Sequence, residues 1–148
     1  MRAALLFPAL LLAATSACGP KLIPDTTIED TPETRAVLDV LGRYKSAVEA
    51  RDSGAVLAIV SPRYFDKNLD YGALQKELPK KLGIVKTDKL DLEVKDVHVK
   101  GDDASIDLFY TEHYLVALPA GDEWQQRSDD SRMSFRREDG NWKIVAGL

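Results

Sequence analysis

The chain has 148 residues and a formal net charge of −4, a length suited to one domain with a single core. Apolar residues make up 45% and charged residues 30%, which excludes an intrinsically disordered chain. The mild acidity offers no clustered basic surface, so nucleic acid is not an expected partner.

The first element is a leader. Arg2 is the one charge in residues 1–17 and is followed by an apolar run from Ala3 to Ala14. Small residues, Thr15-Ser16-Ala17, then precede Cys18. A basic start, an apolar centre and small residues before a cut describe a secretory signal. At about 12 residues, the run is too short to span the ~30 Å hydrocarbon core as a helix. Cys18 is the only cysteine, so it has no partner for an internal disulfide. Ala14-Thr15-Ser16-Ala17-Cys18 resembles a bacterial lipobox, with Thr15 where leucine is usual. The resemblance implies cleavage before Cys18 and lipid on that cysteine. With Gly19 following, it implies the outer membrane of a Gram-negative cell. The alternative is a plain secreted protein. Residues 19–31 are polar, carry Pro20 and Pro24 and show no periodicity. They read as an extended tether behind the lipidated cysteine, with a folded domain over 32–148.

Thr31-Pro32-Glu33 is a helix start: a capping hydroxyl, a proline at the first position and an acid at the positive end of the dipole. Val37, Leu38, Leu41, Tyr44 and Val48 continue at helical spacing. Arg51-Asp52-Ser53-Gly54 interrupts, and Ser53 is read as the cap of a second helix ending at Ser61-Pro62. Tyr64 and Phe65 fall in a short connector. Asp70 caps a third helix carrying Tyr71, Leu74 and Leu78, which Pro79 should break or kink before Gly83.

After Thr87 the period becomes two. Leu90, Leu92 and Val94 share one parity while Val97 and Val99 take the other, which predicts a bulge near Asp96. A turn at Gly101-Asp102-Asp103 leads to a strand from Ala104 to Leu118. A turn at Pro119-Ala120-Gly121-Asp122 leads to a polar strand from Trp124 to Arg137. Glu138-Asp139-Gly140-Asn141 is a hairpin signal before the last strand, Trp142 to Val145. Three helices followed by four strands imply an α+β fold, the helices packed on one face of an antiparallel sheet.

Glu49 to Leu57 resembles the helix-to-helix step of the NTF2-like superfamily, and Arg137 to Val145 resembles its closing hairpin. That superfamily includes nuclear transport factor 2, SnoaL-type cyclases and ketosteroid isomerase. The resemblance covers about residues 31–148 and implies a curved sheet wrapped on helices, forming a cone with a cavity. Its sheet face often dimerises, so a homodimer is expected. Many members carry a strand pair between the second and third helices; here only Ser61 to Leu69 is available, so that pair should be absent or vestigial. The catalytic tyrosine and aspartates of ketosteroid isomerase match no local motif, and none is carried over.

Tyr110, Glu112 and Tyr114 share the parity of Ile106, Leu108 and Val116, the face that meets the helices. A carboxylate on that face is costly to bury unpaired. It either serves a pocket, as proton-transfer group or ligand contact, or reaches solvent or an arginine. Tyr64 and Phe65 are core plugs or the rim of the cavity. His98 and His113 show no metal-ligand spacing, so no metal and no cofactor is expected. Arg127, Arg132, Arg136, Arg137 and Lys143 make the last strands basic but are diluted by Asp129, Asp130, Glu138 and Asp139. These features favour a non-catalytic, envelope-anchored domain binding a small apolar ligand or a protein partner. The alternatives are an isomerase or dehydratase with Glu112 as base, and a structural accessory of the envelope.

Overall fold

The computed structural model describes residues 19–148; the leader 1–17 and Cys18 lie outside the described residues. The elements run α1 (Pro32–Glu49), α2 (Ser53–Ile59), β1 (Phe65–Asp66), β2 (Leu69–Asp70), α3 (Tyr71–Gly83), β3 (Val85–Lys100), β4 (Asp103–Leu118), β5 (Gly121–Glu138) and β6 (Asn141–Ala146). The fold is α+β, with three helices and a four-stranded antiparallel sheet ordered β3-β4-β5-β6. The helices precede the sheet, but they are not a block at the N-terminus. An ordered stretch comes before them and the β1–β2 hairpin divides them.

That first stretch is more structured than its prolines suggest. Leu22 bridges Glu29 antiparallel. The Asp30 amide donates to Lys21 O (2.7 Å) and the Ile23 amide to Ile28 O (2.8 Å). Asp25 turns the chain with φ 62°, a conformation Asp tolerates, and Ile28 is buried. Residues 21–30 are therefore a small hairpin rather than an extended tether.

Thr31 caps α1, its hydroxyl accepting from the Thr34 amide at 3.0 Å. Val37, Val40, Leu41 and Val48 form the buried stripe. The cap of α2 is Asp52, one residue before the Ser53 expected. Arg51 takes the left-handed turn (φ 56°), which leaves Asp52 extended with its carboxylate accepting from the Ala55 amide at 2.9 Å. Asp70 caps α3 by accepting from the Ala73 amide at 2.7 Å. Pro79 does not end this helix. The carbonyl it leaves without a helical donor belongs to Gln75, an exposed residue, so the loss is tolerated. The vestigial strand pair is present as β1 and β2, two residues each, joined through Lys67 and Asn68 at φ 47° and 68°. Asp139 and Gly140 turn β5 into β6 with the same left-handed pair, φ 49° and 78°.

The predicted bulge in β3 lies between Val94 and Asp96, with further register shifts at Val85/Thr87 and Ser134/Phe135. Bulges increase twist and bend long strands. The inner face, with Ile106, Leu108, Met133, Phe135 and Ile144, packs on α1 and α2 to make the core. The helical layer also joins the far edge directly. Val60 bridges Ile144 in parallel, and the Ser61 amide donates to Ile144 O at 2.8 Å.

Candidate functional site

The inner face is not filled along its whole length. A cavity of about 530 Å³ lies beside the core, with Leu90, Leu92, Leu108 and Met133 as apolar wall and Tyr44, Lys81, Glu112 and Arg127 as a polar one. A second cavity of about 200 Å³ adjoins it. Tyr44, Lys81, Glu112 and Arg127 line both and form the shared wall.

The Tyr110-Glu112-Tyr114 row faces inward. Glu112 is 6% exposed, and both tyrosines are half-buried. Register places Arg127 of β5 directly opposite Glu112 of β4, and the guanidinium donates through Nε to the Glu112 carboxylate. The same guanidinium lies 5.9 Å from the centroid of each flanking ring, Tyr110 and Tyr114. Burial works against the Arg127 charge most strongly, but Glu112 outweighs it and the net shift is upward. Glu112 therefore belongs to a braced ion pair.

The cross-strand pair Asp88–Tyr114 brings in a group that the sequence reading missed. Asp88 is 4% exposed, and its Oδ1 has no hydrogen-bond partner among the described residues. Burial first, then the nearby Glu112, pushes its carboxyl up to about 7. Tyr44 of α1 is driven upward by burial and then by Glu112, so its hydroxyl keeps its proton. Lys81 of α3 is lowered by desolvation and then by Arg127. Two carboxyls, two cations and a phenol thus meet in the cone, drawn from α1, α3 and three strands. Asp88 carried the same signal as Glu112, an acid on the parity of Leu90 and Leu92. Lys81 reads from sequence as an ordinary cation in a helix's last turn.

Tyr64 and Phe65 line neither cavity. Tyr64 is buried, and its hydroxyl binds the Leu148 backbone, accepting from N at 3.2 Å. Phe65 is 62% exposed, because the two-residue strand β1 turns it outward. The histidines stay apart from the cone: His98 is half-exposed beside Asp96 (3.3 Å) on the outer face. No group of three metal-ligating side chains is found among the described residues. Arg132 and Arg136 pair across the outer face with Asp107 and Asp103 (2.5 and 2.8 Å). No described helix is long and apolar enough to cross a membrane.

No family model and no curated protein matches the sequence. Solved structures do match in shape. A protein from Kribbella flavida superposes with a TM-score of 0.68 at 11% identity, over 80% of this chain and 90% of that one. An NTF2-like superfamily protein from Salmonella enterica gives 0.66 at 13% identity, over 77% and 87%. A candidate dehydratase of the NTF2-like family from Streptomyces avermitilis gives 0.62 at 18% identity, over 79% and 95%. At these identities the likeness is one of fold, and the chain has the fold of NTF2-like proteins.

Proposed function

We propose that this chain is a lipid-anchored domain of the bacterial cell envelope, held at the outer membrane through Cys18, that binds a small, largely apolar molecule in its cone. The observation that carries the binding reading is the cavity of about 530 Å³, apolar on one side and headed by the Glu112–Arg127 pair on the other. Few convergent polar groups on an apolar wall are what a ligand site needs for orientation. The Glu112 carboxylate is already engaged by Arg127 Nε, which favours binding over catalysis by that residue. Native mass spectrometry of the protein isolated from the envelope tests this. A reproducible bound mass that disappears in Ser131→Trp, which fills the cavity, is the expected result. An apo spectrum for both proteins would overturn the reading. The anchor is tested separately: Cys18→Ser should move the protein out of the membrane fraction.

One observation favours a second reading, a proton-transfer enzyme of the isomerase or dehydratase type. Asp88, with its carboxyl near 7, is suited to gain and lose a proton at neutral pH. In that reading Asp88 replaces Glu112 as base, and the Tyr44 hydroxyl donates to the substrate. A protein partner on the outer face and a homodimer remain part of the proposal as secondary contacts of the anchored domain.

A further inference from the structure

The smaller cavity differs in character from the larger one. Its apolar walls are Val48, Leu78, Leu82, Val85 and Val116, and it holds Asp88, which the larger cavity lacks, beside the shared Glu112. Asp88 Oδ1 has no hydrogen-bond donor among the described residues although the residue is only 4% exposed. A buried acceptor left unmet is costly, so a donor delivered by a ligand gains more here than at a satisfied site.

The charges nearby restrict that donor. Lys81 and Arg127 line the same cavity and disfavour an ammonium group. Asp88 and Glu112 disfavour a third carboxylate. A neutral hydroxyl meets neither objection. The volume, about 200 Å³, accommodates one substituted ring.

We infer that the smaller cavity is a subsite for an uncharged hydroxyl on a compact apolar ring, with Asp88 accepting its hydrogen bond. The inference rests on reading the cone as a ligand-binding device, and it adds the chemical class the ligand presents at this end. Tyr44 and Tyr114 supply aromatic wall beside the apolar side chains.

Calorimetric titration of the purified protein with p-cresol, toluene and benzylamine tests the subsite. The expected result is at least tenfold tighter binding of p-cresol than of toluene, since a site built around a polar group discriminates against the analogue that lacks its partner. Benzylamine should bind more weakly than p-cresol by a similar factor. Asp88→Leu should erase the preference for p-cresol over toluene, while Asp88→Asn, which keeps an acceptor oxygen, should retain most of it. Ser131→Trp should leave p-cresol binding intact, so failure of the larger cavity and failure of this subsite are read separately. Equal binding of p-cresol and toluene, preference for benzylamine, absence of any binding, or an unchanged preference in Asp88→Leu would each overturn the assignment. Loss of p-cresol in Ser131→Trp would place the probe in the other cavity and overturn it too.

Discussion

Arg127 and Glu112 face each other across the β4–β5 ladder, and the exposures of the two side chains differ sharply: 44% for the arginine and 8% for the carboxylate. The arginine acts as a lid on a charge that is otherwise buried. Removing the lid leaves that charge uncompensated, whereas removing both leaves only a change of packing. Arg127→Leu should therefore cost about 2 kcal/mol, below the ~3–5 kcal/mol of a fully enclosed pair because water reaches the arginine. Adding Glu112→Leu to Arg127→Leu should recover most of that loss. Urea unfolding of the two single variants and the double variant checks both, and equal losses in all three would refute the argument.

Asp88 makes stability depend on pH in the direction opposite to a paired carboxylate. Its folded-state carboxyl is raised to about 7 from an ordinary 3.8, so the folded chain holds a proton that the unfolded chain has released. Its contribution is therefore greatest at low pH and is lost as pH rises from about 4 to about 7. Asp88→Asn, which mimics the protonated form, should match the wild type near pH 4 and exceed it by on the order of 2 kcal/mol at pH 8. Thermal unfolding of both proteins over that range tests the sign, and a gap that shrinks with rising pH would contradict it.

The hydroxyl of Tyr64 fastens the last residue, accepting from the Leu148 amide at 3.2 Å. Tyr64→Phe keeps the packing and removes this bond, so it should cost about 1 kcal/mol. The Leu148 amide should also exchange its hydrogen faster in the variant, which NMR can follow. Unaltered exchange would mean that the bond contributes nothing to order at the C-terminus.

The cap of α2 offers a comparison between neighbours. Asp52→Ala removes the acceptor for the Ala55 amide and should cost about 1 kcal/mol, whereas Ser53→Ala should cost far less because Ser53 is already the first helical residue. Urea midpoints in the reverse order would restore the serine as cap.

That shift of one residue shows what was legible in the sequence. Thr31-Pro32, the change of parity after Val94, and Asp139-Gly140 announced their structures because each signal is local: a cap, a bulge, a turn. Glu112 was visible as an acid on an apolar parity. Arg127 was not, since its partnership depends on counting register through the β4–β5 turn over 15 residues. Asp88 could have been found by the parity argument applied to β3. The cost of its burial lies in α1 and α3, whose side chains close over it, and no sequence spacing reveals that. The hairpin at 21–30 escaped because its one buried anchor, Ile28, has no periodic neighbour.

The junction of Val60 and Ser61 with Ile144 has a consequence for the order in which the chain is made. Ile144 and Ser61 are both completely withdrawn from solvent, and the residues they join are separated by more than half the chain. A nascent polypeptide has all three helices and the three long strands β3, β4 and β5 before β6 exists. Its core then lacks Trp142 and Ile144, and the Ser61 amide has no acceptor. Closure of this seam therefore requires β6, and the core stays incomplete until that strand pairs.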